Sequence, residues 1–174
     1  MRRYLKKALK NFLLIFEPMV LRIAEFYGIQ TERQRYGVHD RIIRHGDNRF
    51  VVHGMNDVIL EGDIAIPKSV YFNTRSGDIR IGRNTILGEN VMLLTGKHLN
   101  IAEAKSQNLP FQHVPPKGRD IVIGRGCWIA SGSIIIGGVT IGDYSVVAAG
   151  AVVAKDVPER VIVAGMPADI IKRL

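Results

Sequence analysis

From Ile123 onward, every sixth residue is aliphatic: Ile123, Ile129, Ile135, Ile141, Val147 and Val153. The fifth residue of each unit is small or β-branched: Cys127, Ser133, Val139, Ser145, Ala151 and Val157. An earlier block keeps the same phase at Leu60, Ile66 and Phe72, and again at Ile81, Leu87 and Leu93. Ile64, Val70, Thr85 and Val91 take its fifth positions, and Gly82, Gly88, Gly124 and Gly142 stand second in their units. The step from Phe72 to Ile81 is longer than six, which predicts a bulge near Ser76-Gly77-Asp78.

A six-residue phase held this long fits neither a helical stripe nor simple alternation. It fits short strands separated by tight turns, with three units closing one coil and coils stacked about 4.8 Å apart. The large aliphatics then fill the interior, and the small fifth residues let neighbouring turns pack closely. Glycine in second position is expected to supply positive φ at the turn. The fold class is therefore an all-β solenoid, a parallel β-helix over residues 49–174. The repeat by itself does not set its handedness.

Two segments break the phase. Leu99–Gly118 carries Pro110, Pro115, Pro116 and Gly118 and reads as a long structureless excursion, a kind of loop that usually serves function. Residues 1–48 read as an N-terminal helix and an irregular linker. Leu5, Leu9, Phe12, Phe16, Val20 and Ile23 form a helical apolar stripe over residues 1–27, behind a basic start at Arg2, Arg3, Lys6, Lys7 and Lys10. The stripe suits docking on the solenoid or on a neighbouring subunit. The basic start also suits peripheral contact with an anionic membrane. Residues 28–48 are polar and basic. At the far end, a turn at Ala164–Ala168 precedes a short helix over Asp169–Leu174.

The formal net charge of +8 favours anionic partners. No nucleic-acid-binding signature accompanies it, so a phosphorylated small molecule or a lipid surface is the better partner class. The single cysteine, Cys127, excludes an intrachain disulfide and fits a reducing, cytoplasmic setting. It occupies the inward small-residue column and reads as core. No apolar run is long enough to span a bilayer.

Beyond the repeat, specific stretches carry a resemblance. They are Thr95-Gly96-Lys97-His98, Ile123–Ile129, Val139–Asp143, Ala149–Val153, Lys155–Pro158 and Ala164–Ala168. In order and spacing the chain resembles the hexapeptide-repeat acetyltransferases of the maltose/galactoside O-acetyltransferase type, including relatives of polysaccharide biosynthesis. The resemblance implies a left-handed β-helix and a homotrimer with active sites between subunits. It also implies acetyl-CoA as donor, no metal, and direct transfer to a saccharide acceptor. Ala130, Ala154 and Asp169 depart from the usual family residues.

The chemistry requires a base for the attacking hydroxyl, and neutral imidazole suits it. His98 is sixth in its unit, which points it outward at the root of the excursion. The Thr-Gly-Lys-His context implies that it is the catalytic base. His113 in the excursion is second in line, while His39, His45 and His53 read as surface residues. Trp128 is also outward. It would wall the pantetheine channel or pack at a subunit interface, as the apolar sixth residues Ile134, Val146 and Val152 suggest. The resemblance implies an oxyanion donor near Ala130-Ser131, with Ser131 alternatively touching pantetheine or simply holding a turn. It places Ala149 and Ala154 beside the CoA arm, and Lys155, Lys172 and Arg173 near its phosphates, positions equally natural for solvated charges. Asn73 binds the acceptor by resemblance, or serves as a turn asparagine.

Other classes compete. N-acetylation of an amino sugar or nucleotide sugar would need the same histidine. A β-helix scaffold would leave the His98 context unexplained. A γ-type carbonic anhydrase would need a third histidine ligand within the repeat.

Overall fold

The computed structural model describes residues 40–45 and 48–174. The helix expected over residues 1–27 lies outside the described residues. The strands run β1 Asp40–His45, β2 Asn48–His53, β3 Val58–Leu60, β4 Tyr71–Asn73, β5 Ile79–Ile81, β6 Ile86–Leu87, β7 Met92–Leu94, β8 Ile121–Ile123, β9 Trp128–Ile129, β10 Ile134–Ile136, β11 Val139–Ile141, β12 Val146–Val147, β13 Val152–Val153, β14 Val161–Gly165 and β15 Ala168–Arg173.

They form three sheets. Sheet A is ordered β1-β2-β4-β7-β10-β13, sheet B β11-β8-β5-β3, and sheet C β15-β14-β12-β9-β6. Between the terminal hairpins every pairing is parallel and joins strands one coil apart, as in Ile121 with Ile79 and Ile134 with Met92. The chain therefore visits B, C and A in turn and closes a three-sided coil. This is the parallel β-helix that the repeat requires, and it fits left-handed winding.

The inward columns are as expected. Ile81, Leu93, Ile123, Ile129, Ile135, Ile141 and Val147 are almost completely buried, and so are the fifth-position Thr85, Val91, Cys127, Ser133, Val139, Ser145 and Ala151. Each large side chain removed from water contributes on the order of 1.5–3 kcal/mol. Two of the buried hydroxyls donate to turn carbonyls, Ser145 to Pro158 at 2.7 Å and Thr85 to Gly124 at 2.8 Å, whereas the buried Thr74 hydroxyl has no partner among the described residues.

The second-position glycines serve a different purpose from the one expected. Positive φ falls on the fourth residue of seven units, at Asn84, Asn90, Gly126, Gly132, Gly138, Tyr144 and Gly150. A Cβ on Gly82, Gly88 or Gly142 would instead lie 2.6, 2.4 or 2.4 Å from a backbone nitrogen of the next coil. Close stacking of coils, not turn conformation, selects glycine there.

Three further expectations are corrected. The C-terminal residues are strand, not helix: β15 pairs antiparallel with β14 around Gly165-Met166-Pro167. Six residues containing adjacent β-branched Ile170 and Ile171 are too few for a stable helix, and the open edge of β14 offers them a ladder. Within the segment 28–48, Asp40–His45 is a strand paired with β2 from Asp40↔His53 to His45↔Asn48. Its Ile42-Ile43 pair suits a strand, and Gly46-Asp47 is a dipeptide type found between hairpin strands. Finally, the excursion is not structureless. Ile101–Ser106 forms a helix, α1.

A capping box starts α1. The Asn100 side chain accepts from the Glu103 backbone N–H, and the Glu103 carboxylate accepts from the Asn100 N–H, both at 2.9 Å. Ala104 and Leu99 are its buried anchors.

Candidate active site

Sheet A hands the chain to sheet B along one edge of the solenoid. On the second coil this edge is built by Asn73–Asp78, on the third by Thr95–His98 and the returning Arg119-Asp120, and later by Gly137-Gly138 and Ala154–Asp156. The excursion leaves this edge at His98 and returns beside Ser76, whose carbonyl accepts the Arg119 N–H at 3.0 Å. On its way it reaches the first coil, where the Asn56 amide donates to Pro116 O at 2.7 Å.

His98 is exposed at the root of the excursion. Its Nδ1 lies 3.0 Å from the carbonyl oxygen of Gln112. A carbonyl can only accept, so in the neutral ring Nδ1 carries the proton and Nε2 keeps its lone pair. Backbone bonds brace the carrier segment: Leu99 N–H donates to His113 O at 3.1 Å, and His113 N–H to Pro110 O at 2.9 Å. Lys97 bonds Glu103 at 3.2 Å and ties the same stretch to α1. The Glu103 carboxyl is held below the ordinary carboxylate range, first by the Asn100 backbone N–H and then by Lys97.

Asn73 lies on β4, in register with Leu94 of β7. Its Oδ1 accepts the Arg75 N–H at 3.1 Å. A Cβ on Gly96 would sit 2.8 Å from that oxygen. The glycine of Thr-Gly-Lys-His thus makes room for the Asn73 amide.

The other predicted residues divide between two places. Ala154 and Lys155 are exposed on the same edge as His98, two coils on, and Lys155 is paired with Asp169. Trp128, Ser131 and Ala149 are elsewhere. Trp128 stands 53% exposed on the outer face of sheet C, in register with Ile86 and Val146. Ser131 and Ala149 are exposed on the edge between sheets C and A. The Ser131 Oγ accepts the Glu89 N–H at 3.1 Å, so it does hold a turn. Lys172 and Arg173 are exposed on β15. One solenoid therefore does not gather these residues around its own His98.

Cys127 is 1% exposed, and burial pushes its thiol up from the ordinary range, against a nucleophilic role. Among the described residues, no three His, Cys, Asp or Glu side chains form a group able to hold a metal ion. Among them too, no helix is long and apolar enough to cross a membrane. Sequence reasoning missed the Gln112 carbonyl, because a backbone acceptor leaves no trace in residue identity. It also missed Arg75 and Arg119, whose positions depend on how coils stack.

Comparison with known proteins agrees with the fold. The family model for bacterial transferase hexapeptide, six repeats, matches residues 120–155. Galactoside O-acetyltransferase of Escherichia coli is 34% identical over 124 residues, covering 60% of this chain and 58% of that protein. The chain spans about half the length of the curated relatives it matches. The crystal structure of a maltose O-acetyltransferase from Clostridium difficile superposes with a TM-score of 0.53 at 28% identity, covering 72% of this chain and 70% of that one. The polySia-specific acetyltransferase NeuO superposes with a TM-score of 0.51 at 26% identity, covering 71% and 60%. By its repeat, its three-sided solenoid and these likenesses, the chain is similar to the hexapeptide-repeat acetyltransferases.

Proposed function

We propose that the chain is an acetyl-CoA-dependent O-acetyltransferase acting on a sugar hydroxyl, with His98 as general base. The observation that carries this reading is the His98 Nδ1–H bond to the Gln112 carbonyl, which leaves an exposed basic Nε2. That Nε2 takes the acceptor's proton as its oxygen attacks the thioester carbonyl. The tetrahedral intermediate collapses with loss of the CoA thiolate, and the imidazolium returns the proton to that sulfur. No acyl-enzyme forms, and no metal takes part.

The intermediate's oxyanion needs a donor. The Ala130 N–H already donates to Val147 O at 2.9 Å, which leaves the Ser131 N–H as the candidate of that pair. Because Trp128, Ser131 and Ala149 lie away from their own His98, the complete site is formed between subunits. Two outward faces support this assembly. Sheet C presents Ile86, Trp128 and Val146, and sheet A presents Tyr71, Met92, Ile134 and Val152, all partly exposed. Two different apolar faces meeting head-to-tail can close a ring, and we assign a left-handed homotrimer. Trp128 of one subunit then walls the acyl channel opposite a neighbour's His98. Ala149 and Ala154 let the pantetheine arm approach, Lys155, Lys172 and Arg173 face its phosphates, and Asn73 orients the acceptor.

The names of the relatives, galactoside and maltose O-acetyltransferase, support a saccharide acceptor. A cytoplasmic site of action, with peripheral membrane contact through residues 1–27, belongs to the same proposal. Deleting those residues is expected to abolish binding to anionic liposomes; unchanged binding would remove that part. The test of the activity is acceptor-dependent release of free thiol from acetyl-CoA, lost in His98→Ala.

A further inference from the structure

Two half-buried arginines flank the turn that leads to His98. Arg75 packs against Gly96, its Cβ 3.4 Å from where a Cβ on that glycine would lie. Arg119 donates from Nε to Thr95 O at 3.2 Å. Among the described residues, neither guanidinium is paired with an acid. The carboxylates along this edge are engaged elsewhere. Asp78 accepts the Asp57 N–H at 2.7 Å, Asp120 accepts the Asp78 N–H at 2.9 Å, and Glu103 pairs with Lys97.

A partly desolvated guanidinium without a counter-charge is unfavourable in the empty protein and favourable once an anion arrives. Its planar fork matches a carboxylate or a phosphate in two-point contact. Arg75 follows Asn73 by two residues on the acceptor side of the proposed site, and Arg119 approaches the same Thr95-Gly96 turn from the returning chain. We infer that Arg75, assisted by Arg119, is a subsite for an anionic substituent on the acceptor, so that the substrate is an acidic saccharide carrying a carboxylate or a phosphate. This rests on the acetyltransferase reading for its meaning, but not for its binding test.

The binding test uses glucuronate, glucose 6-phosphate and glucose with the full chain, by titration calorimetry without acetyl-CoA. At least one of the two anions is expected to bind about tenfold or more tightly than glucose, and Arg75→Gln to abolish the difference. The carboxylate and phosphate arms identify which group is recognised. Arg75→Lys, which keeps a charge, is expected to retain part of the preference and controls for loss of fold. Equal binding of all three sugars to wild type would overturn the inference, as would a preference unchanged in Arg75→Gln.

In turnover, the ratio of kcat/KM for anionic over neutral acceptors is expected to fall about tenfold or more in Arg75→Gln. A rise confined to the KM for acetyl-CoA would assign these cations to the donor instead and overturn the inference. Anion binding without thiol release from any acceptor would contradict the acetyltransferase reading and leave the subsite standing.

Discussion

His98 Nδ1 stands 3.0 Å from the carbonyl oxygen of Gln112, fourteen positions along the chain. That bond lets the excursion fix a tautomer, since its far limb supplies the acceptor that holds the proton on Nδ1 and leaves Nε2 its lone pair.

The same edge is closed on the next coil by Gly137-Gly138 alone, between β10 and β11. Replacing residues 95–120 with two glycines keeps the repeat in phase. The shortened chain is expected to keep a cooperative thermal unfolding transition and strand circular dichroism while losing acetyl transfer completely. Loss of the folding transition would show that the excursion supports the solenoid itself.

Gly96→Ala pushes against the Asn73 amide, the flexible end of a side chain, with no backbone atom among its nearest neighbours. The expected outcome is a near-native melting temperature with an acceptor KM raised about tenfold, a rough value for one displaced hydrogen-bonding group. Steady-state kinetics with each substrate varied in turn distinguish this from a donor effect.

Gly142→Ala contrasts with Gly150→Ala. The first drives a Cβ to 2.4 Å from the Glu159 backbone nitrogen, whereas the second meets nothing within 4 Å but sits at φ +69°. Chemical denaturation should show a loss of about 1–3 kcal/mol or more from overpacking at Gly142. At Gly150 it should show only about 1–2 kcal/mol from left-handed strain.

Glu103 gives the excursion an acid dependence. Its carboxyl is lowered from an ordinary value of 4.5 by the Asn100 backbone N–H and by Lys97. A depressed carboxylate stabilises the folded state above its unfolded value, and that stabilisation is lost as pH falls through the folded value. Hydrogen exchange at α1 is therefore expected to be protected equally at pH 7 and pH 6 after correction for intrinsic rates. It should rise below about pH 4.5 in wild type, and Glu103→Gln should show the raised exchange throughout.

The interface proposal predicts that Trp128→Glu converts the assembly to smaller species in sedimentation velocity. Trp128 is more than half exposed on the isolated chain, so the substitution leaves the core untouched. A wild-type monomer at micromolar concentration would contradict the trimer.

The solenoid was legible because its burial pattern is local and repeated. The aliphatic first column from Ile123 to Val153 and the small fifth column from Cys127 to Val157 each define one inward direction, and all of them are buried. The role of the second-position glycines was misread because sequence shows a glycine but not what would meet its Cβ. In Gly88 that neighbour is Ser131, forty-three residues away. The C-terminal strand was missed because its partner, β14, lies in the neighbouring chain segment of the fold and not in any local periodicity. In the candidate site, the outward exposure of His98 was legible from its phase in the repeat. Its orienting carbonyl and the two flanking arginines depend on the path of the excursion, which carries no repeat to read.

The central claim is that His98 is the base of an acetyl transfer, and the direct measurement is free-thiol release from acetyl-CoA over a panel of neutral and acidic sugars, with wild type and His98→Ala compared. The account predicts acceptor-dependent release in wild type and a kcat lower by about 10²–10⁴ in the mutant, with an unchanged melting temperature. Acceptor-dependent release at the wild-type rate in His98→Ala would contradict it.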